Sequence, residues 1–138
     1  MPDLNVLAVL VGTVALFVIG AAYYATFGAQ LAQVSDAAAA AGSMRPWQVA
    51  VEFLRCLILA LVVAGLAAKA NVVGLAEGLL LGLVLWIGFP FVLWTGAVVH
   101  ERTPVKLAAI HAGDWLVKLL VVAVLVSVWP SGSTDVSG

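Results

Sequence analysis

Four residues in the last third of the chain, His111, Asp114, Trp115 and Lys118, have types and spacing that could do chemistry. At about 100° per residue they fall within an arc of roughly 100° on one helix face. They sit inside a long apolar run, where charge is expensive and usually faces other protein or a water-filled cavity. An earlier run carries a second stripe: Gln48, Glu52 and Arg55 share an arc of about 60°. Glu77 stands near the start of a third. Glu52, Glu77 and Asp114 are set against Arg55 and Lys118, so charge balances only if His111 is protonated or one carboxyl is neutral. A protonatable group among paired charges is what a proton relay needs. It is also what a static clamp between helices looks like.

Other chemistries lack their residues. His100 and His111 have Pro104 between them and no cysteine pair beside them, so no metal site is expected. No Gly-rich phosphate loop follows a strand, and no serine stands in a nucleophile elbow. No cofactor is implied, and the balance is against an enzyme. Cys56 is the single cysteine. It excludes an intrachain disulfide and reads as a small, inert, buried apolar group.

The elements that hold these residues follow from composition. Of 138 residues, 64% are hydrophobic and 9% charged, with a mean hydropathy of +1.19. Soluble domains carry about 25% charged residues. A net charge of -1 argues against nucleic acid as a partner. Four apolar runs are long enough to cross a bilayer, at about 18 residues or more each. The expectation is an all-α integral membrane bundle of four transmembrane helices in a single domain over residues 1–138. The spans are placed at about 5–24, 47–68, 72–99 and 104–129, with a disordered Ser/Gly-rich tail at 130–138. The first run lacks a basic n-region and is too long for a typical h-region, so it reads as a retained span.

Asn5, Gly12, Leu16 and Tyr23 share one face of the first span, suited to a helix–helix contact. Tyr23, Tyr24 and Phe27 mark its end as interfacial anchors. The connection from Gly28 to Pro46 contains an alanine run, ended by Gly42-Ser43, which favours a short interfacial helix, with disorder the alternative. Gly74, Gly78 and Gly82 recur every four residues and predict close approach of another backbone, within or between chains. Pro90 predicts a kink in the third span and a freed carbonyl near Trp86. Trp86 and Trp115 read as packing residues, and Trp94 and Trp129 as interface anchors.

Spans two and four enter from one side, so rise per residue sets relative depth. Glu52 and His111 come out roughly 8 and 10 Å in, Arg55 and Asp114 roughly 12 and 15 Å. Glu77, entering from the opposite side, falls within reach of Lys118. The pairs expected are Arg55–Asp114, Glu52–His111 and Glu77–Lys118. Arg45, Arg102 and Lys106 flank one side and Lys69 the other, which places both termini outside a plasma or inner membrane.

Several short motifs resemble a known family. Gly20-Ala-Ala-Tyr-Tyr-Ala-Thr-Phe-Gly28 is similar to the Gly-x-x-Trp/Tyr-Tyr-x-x-x-Phe-Gly pattern that ends span one of the bacterial domain-of-unknown-function 1761 (DUF1761) membrane proteins. Gly82-Leu-Val-Leu-Trp86-Ile-Gly88-Phe89 resembles that family's third span. Glu101-Arg102-x-Pro104-x-Lys106-Leu107 and Ile110-His111-Ala112-Gly113 resemble its last loop and fourth span. The resemblance implies a small four-span membrane protein and no catalytic residues. Ala25 departs from it where a proline often follows the tyrosine, and Lys118 lies outside its pattern.

Two functional classes follow. One is a small membrane transport or ligand-binding protein that uses Glu52, Arg55, His111, Asp114, Lys118 and Glu77 as an intramembrane polar cluster for a small molecule or ion. The other is a structural or accessory subunit whose charges fix helix packing. A membrane enzyme acting on a lipid or quinone has no constellation behind it. The partners expected are the lipid bilayer and a second copy or another membrane protein, because four helices enclose little interior.

Overall fold

The computed structural model describes residues 4–40 and 45–129. Helix α1 spans Val6–Ala32, α2 Asp36–Ala40, α3 Pro46–Lys69, α4 Leu75–Trp86, α5 Val92–His100 and α6 Val105–Val128. A π-turn over Ile87–Phe91 joins α4 to α5, and the two form one continuous span. The described residues are all-α, with four helices long and apolar enough to cross a membrane. Outward residues such as Val18, Leu54, Leu80 and Leu93 are apolar and exposed, as a lipid-facing surface requires.

The helix ends have local causes. Asn5 caps α1: its Oδ1 accepts from the Ala8 N–H at 3.0 Å. Its Nδ2 donates to the Trp129 carbonyl at 3.0 Å, which pins the start of α1 to the end of α6. Pro46 occupies the first turn of α3, where its missing N–H costs nothing. Gln48 Oε1 accepts from the Arg45 N–H at 2.8 Å, so Gln48 is a cap rather than part of the charged stripe. Asn71 at φ 55° turns the chain between spans two and three. Glu77 Oε2 accepts from the Val73 N–H at 3.2 Å, in the first turn of α4 where a carboxylate meets the positive helix end. Glu77 is exposed there and serves its own helix, which corrects the expected pair with Lys118.

Helix α6 is the centre of the fold. Helices α1, α3 and α4 all pack on it, and α1 also packs on α3. Its inner face buries Leu119, Val122, Ala123 and Val126 against Val9 and Leu16 of α1 and Ala60, Val63 and Ala64 of α3. The glycine face of α4 is turned onto α6. A Cβ at Gly78 would lie 2.9 Å from Val124 Cα, and one at Gly82 would lie 2.8 Å from the Leu119 carbonyl oxygen. The close approach is therefore within the chain. Gly74 differs from the other two. It has φ +99° and open space around a Cβ, and its N–H donates to the Ser127 carbonyl at 2.9 Å. Its role is a turn conformation that L side chains rarely adopt, not packing.

Two other expectations change. The first helix continues to Ala32, eight residues beyond the end placed at Tyr24, and α2 follows after a short turn. At Pro90 the distortion takes the form of the π-turn, with helical backbone on both sides, at Trp86 and at Val92. A π-turn relaxes the i→i−4 ladder that proline interrupts. The helix expected in the alanine run is present as α2, Asp36–Ala40; Ala41, Gly42-Ser43 and the tail at 130–138 lie outside the described residues.

Candidate functional site

The charged residues of α3 and α6 meet, but not in the pairs that depth alone suggests. Lys118 Nζ lies 3.0 Å from Asp114 Oδ2, one turn back on the same helix, and 3.7 Å from Glu52 Oε1 on α3. Arg55 Nη1 donates to Glu52 Oε2 at 2.6 Å, again one turn apart on one helix. The order is Arg55–Glu52–Lys118–Asp114, so Arg55 does not reach Asp114. The side chains of Asp114 and Lys118 are 5% and 8% exposed, whereas that of Arg55 is 59% exposed. The line runs from the buried centre of the bundle to its outer face.

Helix α1 makes room for the ammonium. A Cβ at Gly20 would stand 3.1 Å from Lys118 Nζ. A larger residue there would press on the ammonium, so Gly20 borders the site although it carries no functional group. Cys56 is buried with its Sγ 3.9 Å from Glu52 Oε1, a weak contact fitting its reading as a small apolar neighbour.

His111 joins a second group, beyond Asp114. The Tyr24 hydroxyl is 2.7 Å from His111 Nδ1, and the Trp94 indole stacks on the imidazole at 5.0 Å and 13°. This replaces the expected Glu52–His111 pair. The second carboxyl oxygen, Asp114 Oδ1, is buried with no hydrogen-bond partner among the described residues, as are Trp94 Nε1 and Ser127 Oγ. Tyr23 donates to the Ile110 carbonyl at 2.5 Å, and Trp86 Nε1 donates to the Ala112 carbonyl at 2.8 Å. Tyr23, Tyr24 and Trp94 therefore tie α1 and α5 to α6.

Sequence reasoning missed Tyr23, Tyr24, Trp94, Gly20 and Gly113 as site residues. The tyrosines were misplaced by the position assigned to the end of α1. Eight further residues set Tyr24 about 12 Å deeper, level with His111. Gly113 offers a test. A Cβ there would meet the Tyr23 hydroxyl oxygen at 2.5 Å and the ring carbon bearing it at 3.5 Å. Gly113→Ala is expected to destabilise by about 1–3 kcal/mol through overpacking. In a Tyr23→Phe background the clashing atom is gone, and the same change should cost less than about 0.5 kcal/mol. Equal costs in both backgrounds, measured by denaturant unfolding in micelles, would dismiss the contact.

Two openings flank the polar line. One, of about 370 Å³, lies between α3 and α6 and is lined by Glu52, Arg55, Cys56 and Lys118 together with Trp115 and Val62. The other, of about 650 Å³, is apolar and lies between α3 and the third span, with Trp115 and Leu119 of α6 as its floor. Leu59, Val62 and Trp115 border both, so the openings are neighbours. Among the described residues no group of three or more His, Cys, Asp or Glu side chains converges as a metal site would require.

Comparison with known proteins yields no match among curated proteins and none among solved structures. A family model, described as Protein of unknown function (DUF1761), matches residues 7–127, which take in all four spans but for Val6 and Val128 at their outer ends, and every residue of the polar line. The chain thus belongs to the DUF1761 family.

Proposed function

We propose that this membrane protein is a binding protein whose ligand meets the Glu52–Arg55–Lys118 end of the polar line from the side, between α3 and α6. The observation that carries this reading is the pairing itself. The two short ion pairs each lie within one helix, and only the 3.7 Å Lys118–Glu52 contact crosses between helices. Charges that served to fix helix register would make their short contacts across the interface. Arg55 also keeps most of its side chain exposed, at about 13 Å from the start of α3, where a guanidinium has little reason to stand unless it is used.

Transport is the second reading, and the unpartnered Asp114 Oδ1 favours it as a proton acceptor. Against it, the residues of the polar line keep to one half of the bundle, and Glu77 at the other end is taken up by its own helix. Beyond Lys118 the only buried polar side chains are Thr13 and Ser127, among the described residues. A path through one copy would end at the middle. With Arg45, Arg102 and Lys106 on one side and Lys69 on the other, we place the polar line in the inner half and both termini outside.

The test is the stability of a Glu52→Gln/Arg55→Gln double variant, followed by SDS-induced unfolding in mixed micelles. Removing a charge pair that faces lipid and serves binding should leave stability unchanged or raised, within about 1 kcal/mol. A loss of several kcal/mol would make the pair part of the scaffold and end the binding reading.

A further inference from the structure

We propose that the ligand is a long-chain fatty acid, held with its carboxyl on Arg55 and its hydrocarbon chain in the apolar groove between α3 and the third span. The inference rests on the binding reading above and supplies its ligand class. The groove has walls from Leu59, Val62 and Leu66 on one side and Leu85, Phe89 and Leu93 on the other. Phe89 and Leu93 are 69% and 67% exposed, so the groove opens sideways to the acyl region of the bilayer. Its apolar walls accept a hydrocarbon chain, but they cannot select one, because the lipid outside is equally apolar. Selection falls to the polar end.

That end is built for a small acceptor. Arg55 directs Nη1 to Glu52, keeps most of its side chain exposed, and lines the smaller opening, which shares Leu59, Val62 and Trp115 with the groove. A guanidinium pairs best with a flat, two-oxygen acceptor, which a carboxylate is. Depth favours a single-chain acid over a phospholipid. Arg55 lies about 13 Å along α3, below the level that a phosphodiester headgroup occupies, whereas a carboxylic acid can go there uncharged. Charge balance agrees. Glu52 and Asp114 offset Arg55 and Lys118, so a bare anion would leave one uncompensated charge inside the membrane. A fatty acid that enters with its proton leaves the total at zero. The proton stays on the ligand carboxyl, whose carbonyl oxygen accepts from the guanidinium, and none is drawn from water.

The experiment is displacement of a fluorescent fatty acid from the purified full chain in detergent by hexadecanoic acid, hexadecanol and the methyl ester of the acid. The acid should displace the probe at least about tenfold more strongly than the alcohol or the ester, the size of one charge-assisted contact. Arg55→Gln should remove that preference. Val62→Trp, at an exposed position that borders both openings, should weaken hexadecanoic acid and spare a short-chain acid, while the polar line stays intact. Equal displacement by acid and alcohol would overturn the proposal, as would stronger displacement by a lysophospholipid. So would a cross-linked dimer closed over Val62 and Leu93, because a second copy would then occupy the groove. If the acid fails while the Glu52→Gln/Arg55→Gln variant keeps its stability, only the ligand class is wrong. If that variant unfolds, the binding reading itself has failed.

Discussion

Lys118→Met is expected to be among the most destabilising single changes in this chain, at about 3–5 kcal/mol. Lys118 is 6% exposed and lies between two carboxylates, at 3.0 Å from Asp114 and 3.7 Å from Glu52. Methionine matches the length of the stem and fills the space beneath Gly20, so the loss would be electrostatic rather than a cavity. Asp114 would be left as a buried acid with one oxygen already unpartnered and the other newly so. A buried carboxylate without its counter-charge is unfavourable. Asp114→Asn should cost less, because Lys118 keeps Glu52. The double variant Lys118→Met/Asp114→Leu should recover most of the lost stability, since an apolar pair of similar volume often equals a buried ion pair. Single and double variants are compared in SDS unfolding curves followed by far-ultraviolet circular dichroism. A Lys118→Met protein as stable as the parent would mean that the ammonium contributes nothing to the fold.

The second large effect is expected at the α4–α6 contact. Gly82→Ala should cost about 1–3 kcal/mol, and Gly82→Leu considerably more. The added Cβ would stand 2.8 Å from the Leu119 carbonyl oxygen and 3.0 Å from Leu120 Cα. Both are backbone atoms of a helix, so no rotamer change relieves the clash and α4 must move off α6. That movement would also pull the π-turn and Trp86 away from the Ala112 carbonyl. Gly96→Ala is the control. Nothing lies within 4 Å of a Cβ there, and in the interior of α5 alanine should be neutral or stabilising by up to about 1 kcal/mol. If Gly82→Ala and Gly96→Ala behaved alike, the packing of α4 on α6 would be wrong.

The two effects share a cause. Helix α6 is the element that everything else packs on, and both Lys118 and the carbonyl of Leu119 lie at its middle. The polar line is therefore anchored on the most buried helix and ends on α3, the side where the bundle is open. A binding site with a rigid inner end and an accessible outer end needs that arrangement.

By itself the amino-acid sequence determined the class: four apolar runs, the small-residue face of span three, the proline distortion, and which two spans carry charge. These are local properties, readable from hydropathy and helical period, because a bilayer demands long apolar helices whatever their neighbours. The family could be read too, since its motifs are short and lie in order along the chain. The partners of each charge across helices could not be read. Rise per residue gives depth along a helix, but not which helix stands beside it, nor how far each has turned. The pairs within one helix, Asp114–Lys118 and Glu52–Arg55, and the Glu77 cap follow from helical spacing; only tertiary packing decided that Lys118 reaches Glu52 on α3 and that Arg55 faces outward. It decided as well that His111 meets Tyr24 on α1, a contact hidden while the end of α1 was set at the tyrosines. An aromatic cluster marks an interface or a helix contact equally well, and the difference lies in the eight residues of helix that follow it.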